Sequence, residues 1–245
     1  MQRVALVTGA GRRIGADIAR RLAREGYALA LFANGSLAAA EALAAEIGGR
    51  AFAADLADPE AAAAAFARAA ASLGPIELLV NNAAAFEDDA IDRLDLGVWR
   101  RQFAVNLEAP VFLTGAFAAA LPEGREGCVI NIIDQRVLKL TPEYLSYTLA
   151  KSALWTATRT LAQALSPGIR VNAVGPGPTY PSAREGEAGL AHEAAGTPLG
   201  RTISGEEIAE AVVYLARARN VTGQMICVDS GQHLGWRTPD VVERE

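Results

Sequence analysis

Apolar residues along the chain follow two alternating rhythms. Short runs rich in branched or aliphatic side chains, at 3–8, 28–33, 50–54, 77–81, 127–133, 169–173 and 225–229, have the length and make-up of strands. Between them lie 14–25, 38–47, 59–72, 97–120, 143–165 and 206–218, where helical spacing or strong helix formers dominate. Strand and helix in strict alternation predict an α/β fold: a doubly wound, seven-stranded parallel sheet with helices on both faces. Val4–Val7 and Val129–Ile133 are apolar nearly throughout, as a sheet covered on both sides requires. Seven strands and six helices use most of the chain, so a single domain is expected over 1–245, with no internal boundary. The Ala-rich stretch 61–71 reads as a helix packed closely on the sheet. Residues 175–204 are rich in Pro and Gly, show little periodicity and follow the sixth strand, the place and make-up of a substrate lid.

Composition narrows the class. Of 245 residues, 51% are hydrophobic and 21% charged, with a net charge of −5, and the mean hydropathy is +0.16. That is enough apolar material for a core, and too many dispersed charges for a disordered or membrane chain. The longest nearly apolar stretch, 109–121, is short for a bilayer and is interrupted by Pro110, Thr114 and Gly115. The acidic balance argues against nucleic acid as a partner. No targeting signature is read at the start, so a cytoplasmic protein is expected. Cys128 and Cys227 sit in apolar runs and are expected as buried thiols rather than a disulfide. With His192 and His233 as the two histidines, no metal-ligand spacing appears and no metal is expected.

Val4–Val7 runs into Thr8-Gly9-Ala10-Gly11-Arg12-Arg13-Ile14-Gly15, and a helix follows. Glycines after the first strand let the chain turn sharply and bring main-chain N–H groups to a pyrophosphate at a helix N-terminus; the plainer reading is a tight βα turn. The second strand and its sequel, 28–40, contain no Asp or Glu to bind a ribose 2′-hydroxyl. Arg12, and Ser36 in Ala33-Asn34-Gly35-Ser36, offer partners to a 2′-phosphate, so NADP (as NADPH) is the expected cofactor. Arg12 also fits a solvated surface charge.

Tyr147 and Lys151, four residues apart in a helical stretch, share one face. An ammonium beside a phenol favours the phenolate and makes the phenol a usable acid near neutrality. The chain uses Arg 21 times and Lys twice, at Lys139 and Lys151, so a retained Lys suggests a need for a compact ammonium. A solvated helix face remains an alternative for either residue alone.

Thr8-Gly9-x-x-x-x-x-Gly15, Asn81-Asn82-Ala83, Asn106, Tyr147-x-x-x-Lys151 and Pro176-Gly177 follow the order and spacing of the short-chain dehydrogenases/reductases, which the whole chain resembles. The resemblance implies Tyr147 as proton donor, Lys151 as the group on the nicotinamide ribose, and Asn106 as holder of a relay water. It implies cofactor contacts at Gly9, Arg12, Arg13, Ile14, Gly15, Asn34, Ser36, Asp55, Leu56, Asn82, Ala83, Tyr147, Lys151, Pro176, Gly177 and Thr179. It also implies a single Rossmann-type domain with a seven-stranded parallel sheet, and a homotetramer or dimer.

Two departures point to the substrate. The family's usual Ser thirteen residues before the Tyr is Asp134 here, and the usual Gly two positions before Gly15 is Arg13. With Phe86 shortly after Asn81-Asn82-Ala83, these residues resemble the pteridine reductases and dihydromonapterin reductases, with their catalytic Asp, Tyr and Lys. That resemblance implies a flat pterin, dihydropterin or dihydrofolate substrate contacted by Arg13, Phe86, Asp134 and Tyr147, with Phe86 stacking on the ring. Ala84 replaces a Ser common there, and Gly35 a frequent basic residue. The alternatives are a general carbonyl or 3-oxoacyl-thioester reductase and a catalytically silent NADP-binding protein.

Overall fold

The structure is a computed structural model that describes residues 2–181 and 186–236. Seven parallel strands form one sheet in the order β3-β2-β1-β4-β5-β6-β7: β1 (Val4–Thr8), β2 (Ala28–Ala33), β3 (Arg50–Ala53), β4 (Ile76–Asn81), β5 (Gly127–Ile132), β6 (Ile169–Pro176) and β7 (Met225–Val228). Every neighbouring pair is parallel, from Val4 opposite Ala28 to Pro176 opposite Val228. On one face α1 (Arg13–Arg24), α2 (Leu37–Ile47) and α8 (Gly205–Arg217) bury Ile18, Leu22, Leu43, Ile208 and Val212 against Val7, Leu29 and Val80. On the other, α3 (Pro59–Leu73), α5 (Ala109–Ala120) and α6 (Leu145–Leu165) enclose Phe32, Leu79, Leu113, Phe117 and Val129. The Ala-rich stretch is α3, where Ala62, Ala65 and Ala69 face the sheet and small side chains permit close approach. The strand order reverses beside β1, where β2 lies on one side and β4 on the other. Ligands of such sheets bind in the crevice outside the carboxyl ends of the strands at that switch.

The expected elements match closely, with four differences. The helix expected at 97–120 is α4 (Leu96–Phe103), a π segment (Ala104–Glu108) and α5 in unbroken succession. This run, Leu96–Ala120, has 25 residues and hydropathy 1.4, so by length and composition it could cross a membrane. The stretch weighed from sequence, 109–121, covered only its second half. It packs against α3, α6 and β4. Helix α6 begins at Leu145 rather than 143, because Tyr144 adopts φ 54. Strand β6 extends to Pro176, beyond the expected end at 173. Within 175–204 a helix, α7 (Gly186–Ala195), was not anticipated; it buries just Ala194 and so lacks an amphipathic stripe. Residues 182–185 of the expected lid and 237–245 of the tail lie outside the described residues. Cys128 is buried, whereas Cys227 is partly exposed, and both are free thiols.

Candidate active site

The turn leaving β1 is held by its neighbour across the sheet. Thr8 Oγ1 accepts from the Asn82 and Ala83 N–H groups at 2.9 and 3.0 Å, and Asn82 Nδ2 donates to the carbonyls of Thr8 and Gly9 at 2.8 and 3.3 Å. Asn82 therefore clamps the glycine loop onto the end of β4. Gly15 has no alternative here: a Cβ would lie 2.3 Å from the Gly9 carbonyl oxygen and 2.5 Å from Asn82 Nδ2. Gly9 itself sits at φ +64, and a Cβ on Gly11 would meet Ser36 Oγ at 2.6 Å. The loop thus lies directly against the end of β2, where Asn34 is exposed and Ser36 half-buried. Helix α1 starts behind it with no acidic residue in its first turn and no side-chain cap. Unpartnered N–H groups at a helix N-terminus suit an anion. Arg12 is exposed beside them, in extended conformation. Asp55 lies past β3, where its carboxylate accepts from the Ala57 N–H at 3.0 Å in a local turn, with Leu56 half-buried beside it.

Arg13 departs from ordinary backbone geometry, at φ 54. Its guanidinium lies over the Tyr180 ring at 5.4 Å and donates to the carbonyls of Tyr180 and Pro181 at 3.3 and 3.4 Å. The Tyr180 hydroxyl in turn donates to Asp17 on α1. Pro176 ends β6, Gly177 bonds to the Val228 carbonyl at 3.0 Å, and Thr179 Oγ1 donates to the Gly177 carbonyl at 2.9 Å. Pro176, Gly177, Thr179 and Arg13 thereby meet where the chain leaves β6.

The chemistry-bearing groups are gathered at the ends of β5 and β6. Asp134 follows β5, and Tyr147 and Lys151 lie on the buried side of α6, 6% and 2% exposed. A solvated helix face is excluded for both. The Tyr147 hydroxyl donates to Asp134 Oδ2 at 3.0 Å, while Asp134 Oδ1 accepts from the Arg136 N–H at 2.8 Å. Lys151 Nζ donates to the Ile132 carbonyl at 2.8 Å and stands 5.7 Å from the Tyr147 ring centroid. Asn81, Asn131 and Thr158 form a buried hydrogen-bonded chain from β4 through β5 to α6, with both links at 2.9 Å, pinning this helix to the sheet.

Electrostatics here run against the sequence expectation that the ammonium lowers the phenol. Burial, then the charge and hydrogen bond of Asp134, push Tyr147 well above its ordinary value. Burial also raises Asp134, opposed chiefly by the Arg136 N–H and charge. Lys151 is pulled down to about 8 by burial, against Asp134. Beside burial, the reason is geometric: the carboxylate touches the hydroxyl directly, whereas the ammonium is engaged by the Ile132 carbonyl and stands 5.7 Å from the ring centroid.

Phe86 is exposed at the mouth of this group. Its ring stacks on Tyr144 at 4.4 Å and 8°, and meets the Tyr147 ring edge-on at 4.8 Å. Asn106, fully buried in the π segment, donates to the Ala85 carbonyl at 2.8 Å and accepts from the Ala85 N–H at 3.1 Å. Its side chain thus anchors the strand of chain that presents Phe86. Tyr144 was missed, although three residues before Tyr147 is one helical turn and signals a shared face. Missed too was a cluster at β7: Cys227, Asp229 and His233 bring one ligand atom each within 4.8 Å of one another. Asp229 already accepts from the N–H groups of Gly231 and His233 at 3.0 and 2.8 Å, and lies 2.6 Å from His233 Nδ1. Burial pushes the Cys227 thiol up to about 11. The carboxylate is satisfied and the thiol protonated, so the cluster orients an imidazole rather than presenting a ready ligand set.

Comparison with known proteins agrees with this fold. The family model described as "Enoyl-(Acyl carrier protein) reductase" matches residues 9–233. The chain is similar to the FolM alternative dihydrofolate reductase 1 of Brucella canis, solved with NADP, at 46% identity and TM-score 0.94 over 98% of this chain and 97% of that one. It is 38% identical to an uncharacterized oxidoreductase of Methylorubrum extorquens, over 94% of this chain and 97% of that protein. It is 32% identical to the 3-oxoacyl-[acyl-carrier-protein] reductase FabG of Staphylococcus aureus, over 96% and 99%.

Proposed function

The chain belongs to the short-chain dehydrogenase/reductase family, and from that premise we propose that it is an oxidoreductase that uses NADPH to reduce a pterin. The observation carrying the substrate class is Asp134 in hydrogen-bond contact with Tyr147, beside an exposed aromatic ring at Phe86. Similarity to an NADP-bound alternative dihydrofolate reductase supports the same reading.

NADPH fits the residues present. A loop with glycine at its three close contacts, packed on the end of β2, an α1 N-terminus without a carboxylate and an exposed Arg12 suit a pyrophosphate and a 2′-phosphate. Bound there, the cofactor supplies hydride to the substrate carbon. The chain's own residues handle the proton. Reducing a C=N bond sends a proton to nitrogen, and Tyr147, held neutral by burial and by Asp134, keeps its proton until that nitrogen demands it. Asp134, already the acceptor of the Tyr147 hydroxyl, accepts from a pterin amine as well and so aligns the ring nitrogen with the phenol proton. Lys151 places positive charge behind the phenol and serves the ribose. The exposed part of the Phe86 ring takes the flat substrate. Because the Asn106 amide is engaged by Ala85, a relay water falls to its main chain in the π segment.

A second reading, reduction of a 3-oxoacyl thioester, is favoured by the similarity to the S. aureus reductase. Asp134 opposes it, since a ketone oxygen needs a hydrogen-bond donor and an ionised carboxylate offers none. NADPH oxidation against dihydrobiopterin, dihydromonapterin, dihydrofolate and a 3-oxoacyl thioester decides between them. Turnover of a dihydropterin or dihydrofolate is expected; thioester turnover with none of the others overturns the proposal. We further propose a cytoplasmic homo-oligomer, a tetramer or dimer, testable by sedimentation.

A further inference from the structure

Asp89 is a buried carboxylate that none of these roles uses. It is 1% exposed, and both its oxygens lie 3.2 Å from the main-chain N–H of Ser146. Its own carbonyl accepts from the Leu145 N–H at 3.3 Å. Leu145 and Ser146 open α6, the helix that carries Tyr147 and Lys151. A helix leaves its first N–H groups without partners, and a side chain at the residue before it usually supplies one. Here that residue is Tyr144, which provides no cap. Its ring is gripped between Phe86 at 4.4 Å and the Arg136 guanidinium at 5.2 Å. Positive φ at a bulky residue is an outlier that persists where the surroundings over-determine it.

The cap therefore comes from 57 residues upstream, from the same loop that presents Phe86. Asn106 fixes that loop through Ala85, and Gln102 Nε2 fixes it through the Glu87 carbonyl at 2.9 Å. We infer that Asp89 is a positioning residue: by capping α6 it holds the Phe86 ring and the Tyr147 hydroxyl in one register. A flat substrate laid on Phe86 then meets the phenol proton without further adjustment. A carboxylate at the positive end of the helix dipole also favours the closed first turn. The part played by Phe86 rests on the pterin reading; the hold on Tyr147 does not.

The test uses full-length enzyme with saturating NADPH, assayed on dihydromonapterin and, in parallel, on a 3-oxoacyl thioester. Asp89→Ala is expected to lower kcat at least about tenfold on whichever substrate is turned over, since small misplacements of a reacting group are costly. Affinity for NADPH is expected to stay within about twofold, because the phosphate loop does not touch Asp89 and Lys151 lies more than a turn beyond the cap, held by the Ile132 carbonyl. Asp89→Asn, which caps as well as Asp, is expected to recover most of kcat. On dihydromonapterin, Phe86→Ala and Asp89→Ala combined are expected to cost less than the product of their separate effects. Wild-type kcat in folded Asp89→Ala overturns the inference, as does parallel loss of kcat and NADPH affinity, or full multiplicativity with Phe86→Ala. Should Asp89→Ala fail to fold, Asp89→Glu carries the test: reduced kcat with intact NADPH affinity supports the inference, and unchanged kcat overturns it. If the thioester alone is reduced, the pterin reading and the register with Phe86 fall together, while kcat of Asp89→Ala on the thioester still decides the hold on Tyr147.

Discussion

At the nucleotide end of the crevice the working surface is main chain. Gly9, Gly11 and Gly15 keep Cβ atoms out of the loop's close contacts, Asn82 and Thr8 clamp it, and Arg12 on it and Asn34 beside it are exposed to solvent. At the chemical end the working surface is side chains, and Asp134, Tyr147 and Lys151 are withdrawn from water far enough to shift all three titrations. The difference follows from what each end must hold. A pyrophosphate is recognised by many weak N–H dipoles at a helix start, which any backbone can supply if it comes close enough. Proton transfer needs one group with a chosen affinity for its proton, and burial with a charged neighbour is the means of choosing it.

Breaking the chemical end is expected to leave the nucleotide end intact. Tyr147→Phe removes the proposed proton donor and should lower kcat about 10²–10⁴-fold, the usual worth of a positioned acid. Titration of NADPH into this variant should give wild-type affinity; near-normal turnover would show that the proton comes from elsewhere. Breaking the nucleotide end should do the reverse. Arg12→Ala is expected to weaken NADPH roughly tenfold or more, as loss of a charge-assisted contact does, with little change for NADH. Equal effects on both cofactors, read by tight-binding titration, would remove Arg12 from the 2′-phosphate.

Smaller changes sharpen the boundary between the two. Phe86→Ala should raise KM for a dihydropterin about tenfold, since stacking and burial are both lost, while KM for NADPH stays unchanged. The mildest test varies pH alone. Lys151 carries its charge below about 8 and loses it above. The rate is therefore expected to fall towards alkaline pH, about tenfold per unit if that charge is required. The same shift makes this group's contribution to stability rise between about 8 and its unfolded value of 10.5. Falling rate with unchanged folding, followed by circular dichroism, would separate catalysis from denaturation, and a flat rate profile between pH 7 and 9 would show that the ammonium is not used.

Much of this was legible along the chain. Alternating apolar runs sufficed for the seven parallel strands, because fully buried strands carry a continuous apolar signal that survives without context. Tyr147 and Lys151 announced themselves through helical spacing and the scarcity of Lys. Helix α7 left no such trace, since a helix that buries one alanine has no stripe to read. The grouping of Cys227, Asp229 and His233 was likewise passed over, because the strand end and the turn after it bring together residues that match no linear pattern.

What the sequence by itself determined is the set of local decisions: which segments are strand or helix, where glycine must turn the chain, and which residues carry unusual chemistry. These depend on neighbours within a few positions, where periodicity and conformational preference act. What the tertiary structure alone decided is the state of that chemistry. Sequence spacing paired Tyr147 with Lys151, yet the group touching the phenol is Asp134, thirteen residues away on another element, and it moves the titration in the opposite direction. Sequence likewise gave Asp89 no role, whereas packing sets it against the start of α6. Burial and contact distance control a buried charge, and both are properties of the folded chain rather than of the order of its residues.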